Sequence, residues 1–146
     1  MSIESKLAEL GITLPDAPAP AANYVPYVIS GNMLFVSGQI SALKGRLGED
    51  VSVDQGAEAA RGCGLSLLAQ AKAALGSLDR VARVVKLGGF VNSTADFTDQ
   101  PEVINGCSNL MVEVFGDKGR HARAAVSSPA LPRGVAVEIE AIFEIA

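Results

Sequence analysis

"RHARAAVSSPALPRGVAVEIEAIFEI", residues 120–145, decides the fold. From Val135 onward the odd positions are Val135, Val137, Ile139, Ala141, Phe143 and Ile145, all apolar, while the even positions include Glu138, Glu140 and Glu144. Alternation of period two is the mark of a strand with one face on a core and the other turned away from it. A second, shorter strand precedes it over 121–127. Its apolar set, Ala122, Ala124 and Val126, reads as the core face, leaving His121, Arg123, Ala125 and Ser127 on the other. The connecting "SSPALP" makes the two strands candidate neighbours. If both turn their apolar sets to the same helices, Arg123 and Glu138 share the opposite face.

Two stretches upstream supply those helices. "DQGAEAARGCGLSLLAQAKAALG" (54–76) reads as a helix with Asp54 as N-cap and Gly76 at its C-terminal end. Ala57, Ala60, Gly64, Leu67, Leu68, Ala71 and Leu75 form a narrow stripe of small and apolar residues, which predicts close packing onto a sheet. "DFTDQPEVINGCSNLMVEVFGD" (96–117) reads as a second helix, with Pro101 near its start. Between them "RVARVVKLGGFVN" (80–92) is a strand. "YVPYVIS-GN-MLFVSGQI" (24–40) is a hairpin across a Gly-Asn turn, and 42–50 is a loop. The order β-β-α-β-α-β-β predicts an α+β domain, a mixed sheet with both helices on one face. Residues 3–10 form a short amphipathic helix and "PDAPAPAAN" (15–23) an extended arm, so residues 1–23 are set apart from a single domain over 24–146.

Composition narrows the function. The chain has 146 residues, 49% of them hydrophobic, no tryptophan and a net charge of −4. An acidic balance with no aromatics among its basic clusters argues against a nucleic-acid footprint. Cys63 and Cys107 stand in no metal-binding spacing and are expected as buried, reduced thiols. Residues 1–10 lack the apolar stretch of a signal peptide and no run reaches a membrane span, so a cytoplasmic location is expected. His121, the single histidine, has no carboxylate or serine at a diagnostic spacing and is set aside. Arg123 is the stronger candidate: a guanidinium takes a carboxylate in planar, bidentate fashion. A nearby glutamate could then position or activate a water. The plainer reading is a solvated face with a surface ion pair.

Three of these stretches, "GNMLFVSGQI" (31–40), "GRHARAAV" (119–126) and "LPRGVAVEIEAIFEI" (131–145), together resemble the Rid/YjgF family. Its members are reactive imine/enamine deaminases, also labelled endoribonuclease L-PSP or translation inhibitors. The resemblance runs from about Tyr24 to the end. It implies a chorismate-mutase-like fold packed as a homotrimeric barrel, with pockets between subunits and no cofactor or metal. It places the substrate-carboxylate arginine at Arg123 and the water-positioning glutamate at Glu138. Tyr24, Ser37, Gly38 and, on the second helix, Asn105 would line the pocket. The family's usual cysteine two residues after the arginine is here Ala125, whose main-chain carbonyl would still anchor a water. The segment before Arg123 is longer than usual, and residues 1–20 are an extension. The implied function is hydrolysis of small 2-imino or enamine acids to 2-keto acids and ammonia. The alternatives are a non-catalytic binder of small carboxylates and an RNA-cleaving translation inhibitor. Its expected partners are a small-molecule carboxylate and copies of itself, not a membrane or nucleic acid.

Overall fold

A computed structural model describes residues 1–20 and 22–146. The elements run α1 (Ile3–Glu9), β1 (Tyr27–Ser30), β2 (Met33–Ile40), α2 (Val53–Leu75), β3 (Val81–Asn92), α3 (Gln100–Phe115), β4 (Ala122–Ser128) and β5 (Val137–Ile145). The five strands form one sheet in the order β1-β2-β5-β3-β4. Every pairing is antiparallel except β3 with β4. Both long helices pack on one face, so the expected mixed α+β architecture is the one found.

The alternation in β5 holds. Val137, Ile139, Ala141 and Phe143 are buried against the helices, and the glutamates point away. Two other expectations are corrected. β4 and β5 are not neighbours, because β3 lies between them. The faces of β4 are also reversed: Ala122, Ala124 and Val126 are exposed, while Arg123 and Ala125 turn inward towards α3. An edge strand buries little, so its small residues carry no strong preference for either face. Arg123 can enter there because its head finds acceptors on the helix.

Local chemistry explains the boundaries. Helix α2 begins two residues earlier than its acidic residue suggests. Its cap is Ser52, not Asp54, in a reciprocal box in which Ser52 accepts from the Gln55 N–H and Gln55 accepts from the Ser52 N–H. The small residues of α2 serve the helix–helix contact as much as the sheet: a side chain on Gly64 would meet Leu110 and Cys107 of α3. At the crossing itself, Gly106 of α3 lies against the Ala57 carbonyl, where any Cβ would collide with main chain. Helix α1 docks through Leu7 and through Glu4, which accepts from Ser77 Oγ (2.6 Å) and the Leu78 N–H (2.9 Å). Burial acts to raise the Glu4 carboxyl, but those hydrogen bonds outweigh it and hold the group below its usual range.

Candidate functional site

The "SGQ" stretch is a β-bulge. Between Val36 and Gln39 strand β2 advances three residues while β5 advances two, from Ala141 to Ile139. The extra residue reverses the inward parity: Leu34 and Val36 are buried before it, Gln39 after it. Ser37 fastens the bulge to the preceding segment, its N–H donating to the Pro26 carbonyl (2.9 Å) and its hydroxyl to the Val25 carbonyl (2.8 Å). Gln39 donates back to the Ser37 carbonyl (3.0 Å). The bulge leaves Gly38 directly against the Glu138 carboxyl, which occupies the space a Cβ would need.

Glu138 thus lies on the face of the sheet away from the helices. Partial burial, with a smaller contribution from the neighbouring Glu140 charge, pushes its carboxyl above the usual carboxylate range. It opens on a cavity of about 340 Å3 that Tyr24 and Gly38 also line. Pocket residues Tyr24, Gly38 and Glu138, expected together from the sequence, are therefore brought together, with Ser37 beside them on the bulge.

Arg123 stands elsewhere. Its Nη1 donates to Ser108 Oγ (3.0 Å) and its Nη2 to the Pro101 carbonyl (3.2 Å), both on α3. Two of its five N–H donors are used in this way, which leaves three, the Nε–H among them, for a ligand. It lines a cleft of about 270 Å3 with Asn105, Ser108, Asn109, Arg120 and His121. Asn105 is thus beside the arginine, as expected. Ala125, on the same side of β4, packs against the core.

The shared face expected for Arg123 and Glu138 is not found. Glu138 registers with Phe90, and Phe90 with Val126. Arg123 is therefore two strand spacings across and three residues along, roughly 10 Å in each direction, and it emerges from the other face of the sheet.

His121 proves to have the serine partner that sequence spacing did not suggest. Its Nδ1 lies 2.6 Å from the Gly119 carbonyl and its Nε2 2.9 Å from Ser108 Oγ. A carbonyl only accepts, so Nδ1 carries the proton. In the neutral ring Nε2 then accepts from the Ser108 hydroxyl, which leaves the serine lone pairs for Arg123. Burial first, and the Arg123 charge after it, pull the His121 pKa below its ordinary value against the opposing pull of the Gly119 bond, favouring this neutral form. One signal for Ser108 was present in the sequence: Pro101, Asn105 and Ser108 are spaced four and three apart, one face of a helix. Nothing in the sequence marked Arg133, which also lines the Glu138 cavity and takes a left-handed conformation (φ 60°) rare for a residue other than glycine.

The two cysteines are buried and free. Burial pushes the Cys63 thiol well up and that of Cys107 up to about 12, so neither is a nucleophile near neutrality. Among the described residues no group of three or more His, Cys, Asp or Glu is placed to hold a metal ion, and no helix is long and apolar enough to cross a membrane.

Residues 4–143 match the family described as "YjgF/chorismate_mutase-like, putative endoribonuclease". The chain belongs to the YjgF/chorismate-mutase-like family. The family match begins at residue 4, ahead of Tyr24, and so takes in α1 and the arm. Among relatives, Protein TCP17 of Trypanosoma cruzi is 51% identical over 98% of this chain and 94% of its own. Among solved structures, Atu1372 of Agrobacterium tumefaciens, a protein of unknown function, is 52% identical with a TM-score of 0.92, covering 99% of this chain and 92% of that one. E. coli TdcF with bound serine is 26% identical with a TM-score of 0.65, covering 89% of this chain and 94% of that one.

Proposed function

We propose that this YjgF-family protein hydrolyses small 2-imino or enamine acids to 2-keto acids and ammonia, at sites completed between copies of the chain in a trimer. Arg123 binds the substrate carboxylate. Glu138 takes a proton from water as that water attacks the electrophilic imine carbon. The Ala125 carbonyl gives the water its second anchor, and Tyr24 closes the site. Glu138 returns that proton to the nitrogen, which leaves as ammonia when the tetrahedral carbinolamine collapses to the keto acid. An imine carbon is already electrophilic, so the scheme needs no cofactor.

The observation that carries this reading is the division of the machinery. Glu138, with a carboxyl poised above the ordinary range as a base requires, opens on one face of the sheet, while Arg123, tethered with donors to spare, opens on the other. One chain cannot present both to one substrate; two copies can. The outer face of the sheet supports such an assembly, since Val28, Phe35 and Val126 are all exposed there. β4 is moreover an edge strand with a row of main-chain groups unpaired by the sheet.

Imines generated in place by an amino-acid oxidase provide the assay. Arg123→Ala and Glu138→Ala are each expected to be inactive as pure proteins. Dissociating and re-forming a mixture of the two should restore part of the activity, because some sites then pair an intact Arg123 with an intact Glu138. Equal rates for wild type and Arg123→Ala would remove the arginine's role. Lack of recovery in the mixture would remove the shared site.

A second reading is a non-catalytic sensor of small carboxylates, favoured by the same free donors on Arg123. Stabilisation by pyruvate without imine turnover would select it. The chain's net charge of −4 argues against RNA cleavage, which needs positive potential along a phosphate backbone.

A further inference from the structure

The Glu138 cavity has walls that the proposed chemistry does not require. Four of the residues lining it, Pro18, Ala19, Pro20 and Ala22, belong to the arm ahead of the hairpin. Tyr24, Pro26, Ile40 and Pro132 line it too. The polar side chains on the cavity are few: Gln39, Arg133 and Glu138, with Tyr24 contributing a ring and a hydroxyl. A volume of about 340 Å3 is that of a small-molecule site, and it exceeds what a water and an imine carbon need.

The arm is fastened over this space. Gln70 of α2, 1% exposed, donates through Nε2 to the Pro18 carbonyl at 2.6 Å. The same nitrogen lies 3.4 Å from Oε1 of Gln39. Gln39 belongs to the bulge that places Gly38 against Glu138, so arm and bulge share one anchor. Prolines at 15, 18 and 20 restrict the arm's backbone and reduce what ordering it costs. They also lack N–H groups, so the wall they form is hydrocarbon with few donors to leave unsatisfied.

We propose that the arm residues Pro18, Ala19, Pro20 and Ala22 are a specificity element: they roof an apolar side-chain pocket beside Glu138 and select 2-imino acids with branched or aromatic side chains over those with a methyl group. This rests on reading Glu138 as the water-positioning carboxylate. It adds what that reading lacks, the part of the substrate that does not react. Each methylene taken from water into such a pocket favours binding about fourfold.

The test compares imines made from leucine and from alanine. In the wild type kcat/KM for the leucine-derived imine should exceed that for the alanine-derived one by on the order of tenfold or more. Replacing Pro18 and Pro20 together by glycine, which loosens the roof without touching α1, should bring the ratio towards one and leave the alanine-derived rate within about twofold. Ala19→Phe, which fills the pocket, should reduce turnover of the leucine-derived imine selectively. Melting temperatures close to wild type would show that both variants fold. A wild-type ratio near one, or a ratio unchanged in both folded variants, overturns the proposal. Should no imine be turned over, the reading of Glu138 fails separately. Calorimetric titration then decides the pocket: 4-methyl-2-oxopentanoate binding more tightly than pyruvate, with the difference lost in the arm variants, supports it, and equal affinities overturn it.

Discussion

Strands β4 and β5 follow one another in the chain, separated by a short connection, yet they answer to different physics. β5 has a neighbour on each side and a helical layer beneath it, so Val137, Ile139, Ala141 and Phe143 on its inner face leave water. β4 is an edge, paired on one side only. Alternation is therefore binding on β5, where reversing it would bury three glutamates, and permissive on β4, where reversing it moves a few alanines. That permissiveness lets an arginine face inward and tie itself to α3.

The widest separation between the two strands should be in stability. Phe143→Ala, at a side chain with no exposure, should cost about 3–5 kcal/mol by chemical denaturation. Val126→Ala, on the exposed side of β4, should cost less than about 1 kcal/mol in an isolated chain. A larger cost at Val126 that depends on protein concentration would show β4's outer side to be covered by another copy.

A middling effect is expected at the tether. Arg123→Lys keeps the charge but loses the fork, and pyruvate affinity measured by calorimetry should fall by about tenfold or more. Ser108→Ala removes one hydrogen bond to the guanidinium and should weaken the same affinity by about threefold to tenfold, with Ser108→Thr restoring part of it. An unchanged affinity in Ser108→Ala would mean that the tether does not orient the arginine. On the β5 side, Gly38→Ala places a methyl group where the Glu138 carboxyl now lies. It should impair turnover more than folding, because the end of a flexible side chain can move aside.

The smallest effects are opposite slopes with pH. His121 beside β4 has a lowered pKa, so the unfolded chain takes up its proton first and stability declines as pH falls through about 6.5. Glu138 on β5 has a raised pKa, so its contribution is complete below the ordinary value of 4.5 and is lost as pH rises through the folded-state value. Urea midpoints across pH 4–7 for His121→Gln and Glu138→Gln should each flatten one of these limbs. Flattening of the same limb by both would contradict the separation of the two sites.

The same contrast explains what could be read from sequence. The order of elements, the hairpin turn at Gly31-Asn32, the core face of β5 and the C-terminal Gly76 of α2 are local or strictly periodic, and they were legible. So was the clustering of Tyr24, Gly38 and Glu138, through resemblance. The facing of β4 was not, because two alanines and a valine on an edge carry too little burial energy to decide it. The place of β3 between β4 and β5 was hidden because pairing across a sheet is not encoded by nearness in the chain. Ser108 and His121 are 13 residues apart and meet only because α3 packs beside β4, so the histidine was undervalued. The cap at Ser52 was overlooked because Asp54 sits where a helix dipole also favours a carboxylate.

The sheet order has a consequence for how the molecule is made. The last strand to be synthesised of the five occupies the middle of the sheet, between β2 and β3. Until it is in place, β1–β2 and β3–β4 are two separate ribbons, each with an open edge where β5 will pair. During translation the nascent chain must therefore hold two half-sheets apart, exposed to wrong pairing, and the closing step is a long-range insertion of the slow kind. A chaperone that shields strand edges until residues 137–145 emerge would raise the yield of folded protein, whereas tighter helix propensity upstream would not.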